Sequence, residues 1–360
     1  MFVERVIQRL EGIVNSFPQK TIVGVGDLML DQYRRGKAVV LSPEAPVIDL
    51  HNPSLTEVPG GAANAAWNVG LLGGFVHLIG VVGRDPEADS LRKLMAVKQN
   101  VNLIGIEDSS RPTTTKLRYC NNQFHLLRIS NESKDSIGTG IFEECKNHIH
   151  SLLPKTNAIF IQDYDKGVVR GELMNFLLEI RAQFPQMIIA LDPKPSNEKN
   201  YRPGMFSLLK PNWWEACALA KVDAVKTKPE EVAQILSDKY QCDVIVTLGP
   251  DGSVIHERAT NVTAVIPTQK AEAFDLTGAG DTILAASVLA LTSGASLVEA
   301  AFIANIVGGI GVRKAGTCVA TYEELLAQIA DPENRHLIAK FTEELVRQES
   351  LQYVSQTETV

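Results

Sequence analysis

Short apolar runs with little alternation constrain this chain more than any other feature. They lie at 21–26 (Thr-Ile-Val-Gly-Val-Gly), 158–162, 187–191, 207–209 and 244–248. A strand covered on one face alternates apolar with polar residues. A strand covered on both faces does not, and parallel sheets are the ones covered on both. The segments between the later runs have helical periodicity, so the rhythm is strand, helix, strand. The expected fold is α/β: a doubly wound, mostly parallel sheet with helices on both faces. Residues 77–82 read as a further strand, and 38–50 and 114–129 favour β-branched or alternating residues. The β-rich segments at about 36–58 and 108–130 are expected to form a small β-sheet lid outside the main sheet. One main unit over 1–330 then carries the lid, and 331–360 reads as a C-terminal helix with a frayed tail.

Composition narrows the function. The 360 residues are 45% hydrophobic, enough for a sizeable core. A net charge of -7 argues against a general nucleic-acid binder. Residues 1–17 have the pattern of an amphipathic helix rather than a signal peptide. The most apolar stretch, 283–291, is too short to span a bilayer and ends at Ser293-Gly294. The five cysteines are scattered and form no Cys-x-x-Cys pair, which suits reduced thiols and a cytoplasmic protein. His148 and His150 form an isolated His-x-His with no further ligands at metal-site spacing.

The segment Asp275-Leu-Thr277-Gly278-Ala279-Gly280-Asp281 runs directly into the apolar helix pattern from 282. Small residues before a helix expose backbone N–H groups, which with the helix dipole make an anion site. A carboxylate at that helix start can take a proton from an attacking hydroxyl. Alone, such a Gly-x-Gly-Asp reads more readily as an ordinary N-cap and turn. Its company favours chemistry. The apolar run 244–248 leads into the turn Pro250-Asp251-Gly252, and ligands bind beyond the carboxyl ends of such strands, beside Thr247 and Gly249. The chain contains no Gly-x-x-x-x-Gly-Lys-Ser/Thr stretch. Gly24-Val-Gly26 lacks the third glycine of a dinucleotide site and is followed by Asp27, an acid that would repel pyrophosphate. Asp27 and Asp31 suit sugar hydroxyls better. Gly60-Gly61-Ala62-Ala63-Asn64 is either a place where backbone approaches a ligand or a tightly packed helix start, and the residues alone leave both open.

Taken together, Gly60 to Asn64 and Asp275 to Asp281 resemble the two signature regions of the ribokinase (PfkB) family of sugar kinases, over about residues 20–325. Within the family the chain is most similar to kinases that phosphorylate D-glycero-D-manno-heptose 7-phosphate at the anomeric hydroxyl. Gly26-Asp-Leu-Met-Leu-Asp31-Gln-Tyr33, Ser42-Pro-Glu-Ala-Pro-Val47, Thr115-Lys116-Leu-Arg118, Asp163-Tyr-Asp-Lys166-Gly and Asp192-Pro-Lys194 carry that similarity. The resemblance implies a ribokinase-like fold, ATP and Mg²⁺ as cofactors, K⁺ as a further candidate, and a homodimer. Asp281 is implied as base, with Gly278, Ala279 and Gly280 as anion hole. Asn212, Lys194, Thr247, Gly249, Gly252 and Asn305 are implied near ATP. Glu215, in Asn-Trp-Trp-Glu, is implied to hold Mg²⁺ through water, and Asp275 and Thr277 a monovalent cation. Asp27, Asp31, Gly60, Gly61, Asn64 and Asp163 are implied at the sugar, and Lys116, Arg118, Arg128 and Lys166 at its phosphate, where a cation is physically required. Val40, Lys210 and Ser130-Asn131 depart from the heptose-kinase pattern. No His-x-Gly-His motif is present, so adenylyl transfer is expected of a separate protein. The rival readings are a kinase of another sugar (fructose 1-phosphate, ribose or a nucleoside) and a sugar-binding regulator without turnover.

Overall fold

The computed structural model describes residues 2–122, 124–268, 277–314 and 319–357, with the side chains of 348–357 left aside. The strands are β1 (Thr21–Gly26), β2 (Leu28–Leu41), β3 (Ile48–Gly61), β4 (Phe75–Val82), β5 (Val101–Glu107), β6 (Thr115–Asn121), β7 (Phe124–Asn131), β8 (Ala158–Gln162), β9 (Ile188–Asp192), β10 (Leu208–Leu209), β11 (Asp243–Thr247), β12 (Ser253–Glu257) and β13 (Val262–Ile266). The helices are α1 (Phe2–Asn15), α2 (Ala62–Leu71), α3 (Pro86–Met95), α4 (Thr139–Leu152), α5 (Gly171–Gln183), α6 (Trp213–Ala220), α7 (Pro229–Tyr240), α8 (Ala279–Thr292), α9 (Leu297–Val312), α10 (Tyr322–Ala330) and α11 (Arg335–Thr357).

Nine strands form the main sheet in the order β13-β12-β11-β10-β9-β8-β1-β4-β5. Those from β5 through β11 are mutually parallel, and β12 and β13 close one edge antiparallel. The missing alternation has a direct cause. Neighbouring residues of one strand point into two different cores. Ile22, Phe160 and Ile245 pack with Leu284 and Phe302 of α8 and α9. Val23, Ile159 and Val244 pack with Ile149, Leu177 and Leu236 of α4, α5 and α7. Packing across β1 and β8 is so close that a Cβ on Gly24 would overlap the Phe160 ring.

The second sheet has four strands in the order β3-β2-β6-β7. It spans Leu28–Gly61 and Thr115–Asn131 rather than the 36–58 and 108–130 that the sequence pattern suggests. Leu28, Met29 and Leu30 are buried, so β2 begins without alternation, immediately after β1 and Asp27. Residues 108–114 are turns that hold Asp108 against Arg111 at 3.1 Å. Of the strands that the pattern does not single out, β5 and β13 are the edges of the main sheet, and β12 lies antiparallel between β11 and β13. The C-terminal segment is helical from Arg335 to Thr357 and packs on α1 and β13. Among the described residues no helix is long and apolar enough to cross a membrane.

Candidate active site

The order of the main sheet reverses at β1, which lies between β4 and β8. At such a switch point the strand ends diverge and leave a crevice at their carboxyl side. Asp27 follows β1, Gln162 and Asp163 end β8, Asp192 ends β9, Lys210 follows β10 and Thr247 ends β11. The cleft beyond them measures about 930 Å³, and Asp192, Lys210, Asn212, Thr247, Gly280 and Asn305 are among its lining residues.

Helix α8 points its N-terminus into this cleft. Gly278 caps it at φ 80°, a left-handed conformation that glycine adopts without strain, and its carbonyl accepts from the Thr282 N–H and hydroxyl, each at 3.0 Å. The first-turn amides are thereby left facing outward. Asp281, in that first turn, is 2% exposed. The Asn64 amide donates to its Oδ2 at 2.8 Å and the Tyr164 hydroxyl to its Oδ1 at 2.9 Å. Burial pushes the Asp281 carboxyl up to about 7 and the charge of Asp192 adds to this, while Asn64, Tyr164 and Lys210 oppose it. A carboxylate tuned close to neutrality is suited to take a proton and give it up again. Asn64, far away in the sequence, is thus brought to Asp281 and its neighbours Gly278 to Gly280. Gly61 caps α2 at φ 55°, and a Cβ on Gly60 would crowd Asp31 Oδ2 at 2.7 Å. The glycine pair is therefore needed for packing around Asp31 and the Asp27 backbone, whatever ligand binds.

The Asn-x-x-Glu segment is a capping box at the start of α6. Asn212 Oδ1 accepts from the Glu215 N–H at 3.0 Å, and Glu215 Oε2 accepts from the Asn212 N–H at 3.2 Å. Glu215 Oε1 also meets Lys194 Nζ at 3.3 Å. Its carboxyl is held above the usual range, first by burial and then by the charge of Asp192. Asp192 pairs with the buried Lys210 at 3.1 Å and accepts from Gln162 Nε2 at 2.9 Å. A Cβ on Gly280 would come to 3.6 Å from Lys210 Nζ, so this ion pair lies beside the N-terminus of α8. Thr247 bridges to Asn212. Asn305 ties the hairpin together, donating to Ile266 O and Pro267 O at 3.1 and 3.2 Å and accepting from Ser253 Oγ at 3.2 Å. Gly249 and Gly252 both have positive φ, at 62° and 87°. Thr277 directly precedes Gly278, whereas Asp275 lies outside the described residues.

The small sheet adjoins the loop after β8, with Lys116 of β6 beside the Tyr164 ring. The register aligns Asp31 with Lys116, Tyr33 with Arg118, and Arg118 with Arg128, so these side chains share the face turned to the main sheet. Arg118 Nη1 meets Asp31 Oδ1 at 2.9 Å, both nearly buried. Lys166 Nζ pairs with Glu132 Oε1 at 2.8 Å. Lys116 Nζ stands 5.0 Å from the centre of the Tyr164 ring, and burial lowers its pKa. Arg128 is exposed on β7. Two carboxylates in the set look inward. Asp27 accepts backbone N–H groups of Tyr164, Lys166 and Val168 at 2.8, 3.0 and 3.2 Å and thereby shapes the loop after β8. Asp163 accepts from Asn197 Nδ2 at 2.8 and 2.9 Å and from the Tyr201 hydroxyl at 2.5 Å; burial, reinforced by Asp27, pushes its carboxyl up to about 7. Its partners make it a brace for this loop.

Sequence reasoning passed over Tyr164, Asp192, Lys210 and Glu132 as functional groups. For Asp192 and Lys210 a signal existed, because each stands at the carboxyl end of an apolar run. Tyr164 and Glu132 gave none, since their roles depend on partners far away along the chain.

A buried carboxylate at a glycine-rich helix N-terminus, facing a crevice at the carboxyl ends of a parallel sheet, suits a phosphotransferase acting on an alcohol group. The match to the pfkB family carbohydrate kinase model over residues 19–324 shows that the chain belongs to that family. It is 34% identical to the bifunctional protein HldE of Helicobacter hepaticus over 92% of the chain and 68% of that protein, and 34% identical to HldE of Vibrio cholerae over 88% and 65%. The chain therefore spans about two thirds of these relatives. Among solved structures, phosphofructokinase-2 from Escherichia coli in complex with potassium superposes with a TM-score of 0.68 at 18% identity, covering 87% of this chain and 99% of that one. Ribokinase from Thermotoga maritima gives a TM-score of 0.63 at 22% identity, covering 87% and 100%. The fold is that of these kinases. The protein is a sugar phosphotransferase related to the bifunctional HldE proteins.

Proposed function

We propose that the protein transfers the γ-phosphoryl group of ATP to the anomeric hydroxyl of D-glycero-D-manno-heptose 7-phosphate, giving the 1,7-bisphosphate. The observation that carries this reading is the placement of Asp281, buried, doubly hydrogen-bonded and tuned near neutrality at the mouth of an anion-binding helix N-terminus. Asp281 takes the proton of the acceptor hydroxyl. The amides of Gly278, Ala279 and Gly280 accept the charge on the phosphoryl oxygens, a positioning and electrostatic task rather than a covalent one. Asn212, Lys194, Thr247, Gly249, Gly252 and Asn305 border the nucleotide. Asp27, Asp31, Gly60, Gly61, Asn64 and the loop braced by Asp163 border the sugar. Lys116, Arg118, Arg128 and Lys166 approach its 7-phosphate.

The cation-binding residues fit a magnesium nucleotide. Burial, and then the negative charge of Asp192, raise the proton affinity of Glu215, which a divalent cation between phosphate oxygens would relieve. Among the described residues no three His, Cys, Asp or Glu side chains cluster as a metal cage. That suits Mg²⁺, which keeps most of its waters and takes few direct protein ligands. Bound there, it would neutralise the negative charge of the phosphates. Asp275 and Thr277 are assigned to a monovalent cation.

The outward face of the small sheet supports a homodimer. The register places Leu55, Leu117, Tyr119, Leu127 and Ile129 on it, and Leu55, Leu127 and Ile129 are exposed. A cytoplasmic site of action accords with ATP as phosphoryl donor. A second reading, a sugar without a phosphate, is favoured by the pairing of Arg118 with Asp31 and of Lys166 with Glu132, which lowers the positive charge offered to an anion.

The test is ADP release across heptose 7-phosphate, fructose 1-phosphate, fructose 6-phosphate, ribose and nucleosides, with Asp281→Asn in parallel. Heptose 7-phosphate should give the highest kcat/KM, and the variant should lose at least about 10³-fold in kcat while still binding ATP. Preference for another acceptor overturns the substrate; full turnover by the variant overturns the base.

A further inference from the structure

Tyr164 stands between the base and the small sheet. Its hydroxyl donates to Asp281 Oδ1 at 2.9 Å, its backbone N–H to Asp27 Oδ2 at 2.8 Å, and Lys116 of β6 lies 5.0 Å from its ring centre. An aspartate carboxylate turns about its Cβ–Cγ bond, and one donor at one oxygen leaves that rotation open. Here Asn64 of α2 holds Oδ2 while Tyr164, from the loop after β8, holds Oδ1. Each ionised carboxylate oxygen accepts about two hydrogen bonds, so a lone pair on each remains for an incoming hydroxyl. A near-attack geometry at the base needs this kind of fixation, because small misplacements cost large factors in rate.

We propose that Tyr164 is the positioning residue of the base: its hydroxyl sets the plane of the Asp281 carboxylate, and its ring joins that carboxylate to the acceptor-side cation Lys116. The proposal rests on the reading of Asp281 as base. It gives the loop 163–167 a task distinct from sugar contact, namely orienting the group that deprotonates the sugar. The phenol stays protonated and remains a donor, because burial and the charge of Asp281 both hold its pKa well above the ordinary value. Donation to the ionised form opposes the desolvation that pushes Asp281 up. The other charged groups facing this pair are Asp192 and Lys210 beside Asp281, and Asp31, Asp192 and Lys116 beside Tyr164. The phenol departs from all of them in being removable without leaving a charge unpaired.

Tyr164→Phe keeps the ring over Lys116 and removes only the hydroxyl. The expected result is a fall in kcat of about tenfold, within the range that proton-transfer geometry controls, with KM for ATP essentially unchanged. The acid limb of kcat/KM against pH moves to higher pH, since the ionised base loses a donor. Tyr164→Leu moves the acid limb in the same way and also raises KM for the acceptor, because Lys116 loses its ring. Asp281→Asn is measured alongside. If it keeps turnover, the base reading fails. If it is inactive while Tyr164→Phe retains the wild-type kcat and acid limb, the positioning proposal alone is overturned. A Tyr164→Phe variant with lower kcat and an unmoved acid limb overturns it too, because a purely structural role predicts that pattern.

Discussion

The two sheets hold their residues in opposite ways. In the nine-stranded sheet, Ile22, Phe160 and Ile245 are fully buried, and both faces are covered by helices. In the four-stranded sheet, all of β7 is exposed and one face meets no other part of the chain's core. Charge follows the same division. Asp281, at the main sheet, is held by the neutral donors Asn64 and Tyr164. Arg118 and Lys166, at the small sheet, are held by the carboxylates of Asp31 and Glu132. The part covered on both faces thus carries the proposed phosphoryl-transfer residues, and the thinly supported part carries the residues proposed to select the acceptor.

The largest expected contrast is in packing. Phe160→Ala should cost about 3–5 kcal/mol, the range for emptying a fully buried aromatic site. Leu127→Lys, on the outward face of the small sheet, should change monomer stability by no more than about 0.5 kcal/mol. Denaturant unfolding measures both. Sedimentation of Leu127→Lys should also show half the wild-type mass, and an unchanged mass would remove that face as the dimer surface.

The next contrast is in pH dependence. The folded-state value of Asp281, about 7, lies above its ordinary 3.8. The folded form therefore binds the extra proton, and the stabilisation is complete below about pH 4 and lost as pH rises through 7. Asn at this position carries no such penalty. At pH 8, Asp281→Asn should be more stable than wild type by about 1–3 kcal/mol, and by pH 4 the difference should close. Equal stability at both pH values would mean that the carboxylate is not desolvated as its burial indicates. The smallest expected effect belongs to the small sheet. Lys116→Met should raise KM for a phosphorylated sugar about tenfold, the worth of one charge-assisted hydrogen bond, and leave KM for ATP unchanged. A uniform loss with phosphorylated and unphosphorylated sugars would detach Lys116 from the phosphate.

The same division explains what the sequence disclosed. Strands β1, β8, β9 and β11 were legible because burial on both faces leaves uninterrupted apolar runs. Edge strands β5 and β13 have one partner and mixed burial, so their pattern resembles a loop, whereas β12 is buried between β11 and β13 but only five residues long. Asp281 was legible because glycine-rich backbone before a helix is a local feature. Tyr164 was not, because its meaning comes from a carboxylate 117 positions away. The lysine and arginine candidates were visible as charges, but the pairing of Arg118 with Asp31 depends on the register of β2 and β6, and that of Lys166 with Glu132 on two segments 34 positions apart in the chain.

The contact between Gly24 and Phe160 bears on how such a chain can change over generations. A side chain at position 24 has no room while the ring at 160 is present. A smaller residue at 160 opens a void that a residue at 24 can fill. The two replacements are therefore accepted in one order only, ring first, and each lineage that keeps Phe160 is bound to glycine in the strand that leads to Asp27.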